Sequence, residues 1–279
     1  MLMTIPTPAD FSFYETVAAH GWRRLLPFAW DEDTQTLSRA EDLGEGRVVK
    51  LAIRTGADGI EVQTDTDEAE LTRRVRRMLQ MDLPLGEFHA HCRRHPHLAP
   101  IIECGRGRML RSPTLWEDVV KVIATTNTTW AQTIAMTARI VAAFGIDGKT
   151  FPTAAQIAAV TPEEFAANAR MGYRSAYVHE IASAIADGSL DLEAWQSEAL
   201  PAADLRKRLL GLPGIGPYGA ACLLLYLGKP EHVNSDSVAR AALAQELGRP
   251  VTDKEVHAFF ESHGEWRGLI YNFYPWKQE

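Results

Sequence analysis

The chain has 279 residues, 46% of them hydrophobic and 23% charged, which excludes intrinsic disorder and fibrous repeats and leaves room for about two domains with a buried core. Its 29 basic and 36 acidic residues give a formal charge of -7, a poor balance for holding a polyanion by bulk electrostatics. Cys92, Cys104 and Cys222 are too scattered for a disulfide framework or a four-thiolate cluster and suit a reducing cytoplasm. The opening MLMTIPTPADFSF lacks a basic region followed by a long apolar run, and no stretch reaches the ~20 apolar residues of a membrane span.

Up to about residue 65, the runs FSFYETV, RRLLPFAW, RVVKLAIR and GIEVQTD favour strands. The later ones are set apart by Gly44, Gly46, Gly56 and Gly59, and together they predict an antiparallel sheet. DEAELTRRVRRMLQM and LGEFHAHCRRH then carry helical patterns, and Pro96, Pro100 and Pro113 punctuate the passage to a region that is helical almost throughout. Within it, Thr161-Pro162-Glu163-Glu164 supplies an N-cap, a first-turn proline and carboxylates, and Thr252-Asp253-Lys254-Glu255 is a capping box. The expected fold class is α+β. Residues 1–112 would form an N-terminal antiparallel sheet domain with flanking helices, and residues 113–279 a larger all-helical domain.

Local charge departs from the total. Residues 201 to 240 hold Arg206, Lys207, Arg208, Lys229 and Arg240 against Asp204, Glu231 and Asp236, five minus three or +2, and Arg106, Arg108 and Arg111 make a second basic run. His89, His91, His95 and His97 cluster without an HExxH pattern and are expected on a surface rather than around a metal.

The segment Leu212-Pro-Gly-Ile-Gly-Pro-Tyr-Gly219 lies between the helical patterns RKRLL and AACLLLYL. Two glycines flanking Ile215 allow a tight turn with the aliphatic side chain inward and backbone N–H groups outward, an anion site that needs no lysine; a plain helix corner is the alternative. Ten helical residues from Tyr218 to Leu227 rise ~15 Å, and the eight from Gly228 to Ser235 can span up to ~26 Å, so the connector can bring Asp236 back to the turn. A carboxylate at that helix start suits facing a developing positive charge or orienting water, and a simple N-cap is the other reading.

Leu212 and Asp236 are 24 positions apart, and this pairing resembles the helix-hairpin-helix superfamily of DNA glycosylases, with its Gly/Pro-rich loop and catalytic aspartate. The stretch GRGRMLRSPTLWEDVVKVIATTNTTWAQTIAMTARIVAAFG is similar to the first catalytic-domain helices of 3-methyladenine DNA glycosylase II and the 8-oxoguanine glycosylases, so the likeness runs from about 105 to 274. The resemblance implies that Asp236 is catalytic. Asn127 would lie at the DNA lesion, or cap a helix, and Tyr173 would wedge into the base stack, or pack in the core. Leu212, Gly214, Ile215, Gly216 and Gly219 would hold a DNA phosphate, and the carbonyls of Leu210, Leu212 and Ile215 a monovalent cation such as Na+ or K+.

Departures from the family pattern are equally informative. Where bifunctional members carry a lysine, this chain has Tyr218, which implies hydrolysis without a lyase step and an aromatic able to stack on a flipped base. Cys222 stands where 8-oxoguanine enzymes also have cysteine, or is an ordinary buried thiol, and Gln132 replaces their arginine that reads the opposite base. No four-cysteine cluster ends the chain, so no iron–sulfur centre is expected. Trp22, Phe28, Trp30, Tyr271 and Trp276 are further aromatics for a base pocket, with Phe273 and Tyr274 selected beside Tyr218 and Cys222. The expected protein is a monomeric, cytoplasmic, monofunctional glycosylase acting on double-stranded DNA with damaged, alkylated purines and having no membrane partner. An oxidised-purine enzyme and a non-catalytic damage-binding protein are the alternatives.

Overall fold

The computed structural model describes residues 1–66, 69–197 and 200–276. Five strands, β1 (Leu2–Ile5), β2 (Ala29–Asp31), β3 (Thr36–Asp42), β4 (Val48–Gly56) and β5 (Gly59–Thr64), form one antiparallel sheet in the order β1-β5-β4-β3-β2. Between Gly56 and Gly59 the hairpin is tight. Gly59 has φ +138°, and a Cβ there would sit 2.3 Å from the Ile5 carbonyl oxygen, so only glycine lets β1 close on β5. Alternation along β3, β4 and β5 sends Leu37, Val49, Leu51, Ile53, Ile60 and Val62 to the buried face.

Fifteen α-helices accompany the sheet among the described residues. α1 (Phe13–Ala18) lies between β1 and β2; α2 (Ala69–Met78), α3 (Gly86–Arg93) and α4 (Ala99–Glu103) follow the last strand. Then come α5 (Leu115–Thr125), α6 (Trp130–Phe144), α7 (Ala154–Ala158), α8 (Pro162–Ala169), α9 (Arg174–Ala186) and α10 (Ala194–Ser197). The last are α11 (Ala202–Leu210), α12 (Pro217–Tyr226), α13 (Ser237–Leu247), α14 (Asp253–Phe260) and α15 (Arg267–Phe273). α5 is buried from Leu115 to Ala124 and α12 from Gly219 to Tyr226, on all sides rather than along one stripe, so these two are the central helices. They touch at Gly219, where a Cβ would come within 3.1 Å of Val122 Cγ1. No helix among the described residues is long and apolar enough to cross a membrane.

Sheet and helices are joined by a buried charge network. Arg39 on β3 meets Glu117 on α5 through two hydrogen bonds of 3.3 and 2.9 Å, and Lys121, one turn on, reaches Glu117 at 2.6 Å. Arg39 also pairs with Glu41, which Arg74 on α2 holds at 2.8 Å. Burial opposes ionisation of Glu117, but Arg39 and Lys121 outweigh it and hold the carboxyl down at about 2. Removing one partner from such a buried set costs about 3–5 kcal/mol, because the others stay charged and unpaired. Apolar packing crosses the same junction, in one cluster from Met3 to Phe273. The boundary expected at residue 112 falls between α4 and α5, with the five strands and α1–α4 before it and one apolar cluster running across it.

Two of the expected strands are something else. FSFYETV is α1, because Ser12 accepts the Glu15 N–H and this Ser-x-x-Glu start overrides the strand-favouring aromatics. In RRLLPFAW, Arg23 and Arg24 end the 3-10 turn Gly21–Arg24 and only the last residues enter β2. The second basic run is also internal. Arg106 pairs with Glu15 at 2.7 Å, Arg108 with Asp10 at 3.1 Å, and buried Arg111 donates to the Tyr226 carbonyl at 3.0 Å, so these side chains fasten the segment before α5 and present no cationic face.

Candidate functional site

Leu212 and Ile215 are buried anchors of the turn between α11 and α12, and the Ile215 N–H donates to the Leu212 carbonyl at 3.1 Å. Gly214 has φ +79°, and a Cβ on it would lie 2.6 Å from Tyr177 Cδ2 on α9. Gly216 differs: its φ is -94° and nothing lies within 4 Å of a built Cβ. It is the N-cap of α12 and offers no side-chain acceptor, whereas α5, α6, α8 and α14 are each closed by a threonine hydroxyl. First-turn N–H groups have no partner within their own helix, so the start of α12 is open to an anion. Gly219 is buried against α5 and serves helix packing.

After α12 the chain returns through residues 227–236 and is clamped as it does so. Asn234 Nδ2 donates to Cys222 Sγ at 3.4 Å. The Gly268 N–H of α15 donates to the Pro230 carbonyl at 2.8 Å, and Arg267 Nε donates to the Glu231 carbonyl. Gly268 is required there, because a Cβ would lie 2.2 Å from the His232 carbonyl oxygen. Asp236 is thus delivered to the first turn of α13, where Oδ1 accepts the Ala239 N–H at 2.9 Å. Ser235 and Arg240 both bond Asp253 on α14, at 2.7 and 2.6 Å, and fix the start of α13.

Tyr271 on α15 faces Asp236 across the cleft; burial and then that carboxylate push its phenol upward. Tyr218 and Cys222, one turn apart on α12, face the same carboxylate and each other. The charge the Cys222 sulfur would carry as a thiolate, burial and Asp236 all push the Tyr218 phenol up; burial pushes the Cys222 thiol to about 11. At neutral pH both are protonated and neither is a ready nucleophile.

These groups line a cleft of about 1080 Å³. Asn127 and Tyr173 also line it: Asn127, at φ +45°, donates to the Tyr173 hydroxyl at 3.3 Å, and Arg174 ties both segments by bonding the Thr126 and Asn127 carbonyls. Tyr173 is 54% exposed, not packed in the core. Gln132 is occupied as the reciprocal partner of the Thr129 cap on α6.

Phe273 and Tyr274 do not belong to this cleft. Phe273 is buried in the core, and Tyr274 packs on Phe259, Phe260 and Trp276. For Phe273 helical phase is the reason: two residues advance about 200° around a helix, so Tyr271 and Phe273 point to opposite sides of α15, whereas Tyr274 lies past the helix end in extended backbone. The aromatic lining comes instead from Tyr271, Trp276, Tyr226 and Trp22, with His20 stacked on Tyr226 at 5.2 Å. Phe28 lies under Arg39 and Lys121, and Trp30 against Phe13 and Tyr14. The sequence carried no signal for His20, Tyr226 or Gly268.

A family model for HhH-GPD superfamily base excision DNA repair proteins matches residues 120–268, and the chain belongs to that family. Among solved structures it is similar to MBOgg1 in complex with a low-affinity DNA ligand (22% identity, TM-score 0.74, covering 98% of this chain and 93% of that one). It is similar also to the 3-methyladenine DNA glycosylase of Archaeoglobus fulgidus (17%, TM-score 0.74, 98% and 97%). A third is the 8-oxoguanine glycosylase/lyase of Clostridium acetobutylicum (18%, TM-score 0.72, 98% and 97%). At these identities the likeness is one of fold. Among curated protein sequences, none matches this chain.

The two hairpin glycines should separate in stability measurements. Gly214→Ala, at positive φ and against Tyr177, should cost about 2 kcal/mol or more in urea unfolding. Gly216→Ala loses only the preference for glycine over alanine at an N-cap and should cost under about 1 kcal/mol. Equal losses would mean that the turn is not held as described.

His20 predicts a pH dependence. Its Nε2–H donates to the Leu110 carbonyl and its Nδ1 accepts the Trp22 N–H, a neutral tautomer that burial holds down to about 4. An unfolded histidine takes a proton below ~6.5, so the unfolded chain binds more protons in this window and stability falls as pH drops from about 6.5 to 4. His20→Gln should lose less stability across that range than the wild type, by up to about 3 kcal/mol. Identical urea-unfolding slopes would show that folded His20 takes its proton normally.

Proposed function

We propose that the protein is a monofunctional DNA glycosylase that takes a damaged, alkylated purine flipped from double-stranded DNA and hydrolyses its N-glycosidic bond. The observation that carries this reading is Asp236, fixed by the Ala239 N–H and facing Tyr218 and Tyr271 in a cleft that no lysine lines among the described residues. A lyase needs an amine to attack the sugar carbon; a neutral phenol cannot form the imine.

In this reading the open start of α12 takes a strand phosphate, with Arg206, Lys207 and Arg208 of α11 adding positive charge. Exposed Tyr173 fills the gap left by the flipped nucleotide, which offsets part of the few kcal/mol of lost stacking. The carbonyl of Leu210 at the C-terminal end of α11, that of Leu212, which keeps a second lone pair beside its bond to the Ile215 N–H, and that of Ile215 are a donor set suited to a monovalent cation. Such a cation would add charge complementary to the phosphate.

The base stacks against Tyr218 and neighbouring aromatics, whose faces favour the positive ring of an alkylated purine. The C1′–N bond breaks with its electron pair going to the base, leaving positive charge on the sugar. Asp236 stabilises that charge and accepts the proton of the water whose oxygen joins C1′. The bond from the Ala239 N–H keeps the carboxylate from rotating away. An oxidised purine is the second reading, favoured by Cys222 at the cleft wall, and base release from alkylated and 8-oxoguanine duplexes separates the two.

Asp236→Asn tests the assignment, since asparagine is an equally good N-cap and keeps the fold. It should lower base release by about a hundredfold or more while leaving lesion-duplex affinity within a few-fold. Near-normal turnover would remove Asp236 from the reaction.

A further inference from the structure

The histidine cluster is not a solvated surface run. His89 and His91 are buried, and the chain brings in a partner 172 positions from His91: His263, itself buried, on the 3-10 segment Glu261–Trp266 between α14 and α15. His91 is on the last turn of α3, and His95 stands just before the 3-10 turn Pro96–Leu98. His91 Nε2 and His263 Nδ1 are 3.1 Å apart. The rings of His91 and His95 are 4.8 Å apart and those of His95 and His263 5.1 Å apart. One ring nitrogen from each of the three lies within 4.8 Å of the others.

We propose that His91, His95 and His263 form a divalent transition-metal site of the zinc class, remote in function from the cleft. At a Zn–N bond of ~2.0–2.1 Å, two nitrogens on a tetrahedral ion are about 3.3 Å apart, the spacing His91 and His263 already have. His95, half-buried at a helix connection, closes the remaining gap of about 1.5 Å by side-chain rotation. Water takes the fourth position, or His97, exposed and with its ring 6.3 Å from that of His263. An all-imidazole set favours zinc, copper or nickel over calcium and magnesium, which need oxygen ligands.

Arg94 works against the site as it stands: its guanidinium contacts His91 Nδ1 at 3.1 Å. Ligation through Nε2 places the proton on Nδ1, so Arg94 must swing away, and it is exposed enough to do so. The site joins α3 to the segment that leads into α15, beside the Phe88–Trp266 ring contact at 5.7 Å. A bound ion would therefore staple the base of the helix that carries Tyr271, and its first readout is stability.

The test uses the full chain, stripped with a chelator and titrated with zinc chloride by calorimetry and by thermal unfolding. One zinc should bind per chain and raise Tm by several degrees. His95→Ala, half-exposed and safe for the fold, and His263→Ala should each lose about tenfold or more in zinc affinity, whereas Arg94→Ala should gain affinity. His257→Ala, on the exposed side of α14, should bind as the wild type does. Absence of saturable one-to-one binding, or unchanged zinc affinity in His95→Ala, would overturn the site, whatever the fate of His263→Ala.

Discussion

Asp236 faces the cleft because the nine residues that lead to it from α12 are clamped from outside their own segment. The Pro230 and Glu231 carbonyls are held by Gly268 and Arg267, and Asn234 is held by Cys222. Gly268 has no Cβ to push the loop away. The same docking turns α15 so that Tyr271 meets the carboxylate and Phe273 enters the core. One backbone approach therefore sets the aspartate, its phenol partner and one wall of the cleft together. The two central helices supply the rest, since α12 carries both the open turn and the Tyr218–Cys222 pair.

The acidity of the chain is compatible with a polyanionic ligand because charge and binding are separated in the structure. Arg39, Arg108, Arg111 and Lys121 are buried in pairs and networks that join sheet to helices. Backbone N–H groups at the uncapped start of α12 are open to an anion, a contact that asks for geometry rather than net charge. Electrostatics within the cleft is likewise sparse. Asp236 faces phenols and a thiol held in their neutral forms, and among the described residues no lysine lines the cleft to answer its charge.

Local rules made part of this legible in the sequence. The antiparallel hairpin at Gly56 and Gly59, the threonine caps at 161 and 252, and the distance from Leu212 to Asp236 each depend on neighbouring residues and are found where the residues put them. What escaped depends on contacts across the chain. The phase of α15, and hence Tyr271 over Phe273, follows from Gly268 meeting the loop at 230–232, which no periodicity reveals. The burial of the arginines at 106–111 follows from acidic partners at 10, 15 and 118. In FSFYETV, side-chain preference and a capping signal disagreed, and the cap won.

The central claim is that the cleft releases a base by hydrolysis and performs no chemistry on the strand. Its most direct test is a duplex bearing a single 3-methyladenine or 7-methylguanine, incubated with the protein, in which free base and strand breaks are measured separately and borohydride is added to trap any imine. The account predicts free base, a strand that stays intact until alkali is added, and no efficient covalent adduct. Strand cleavage at the rate of base release, with an adduct mapping to a lysine, would contradict it.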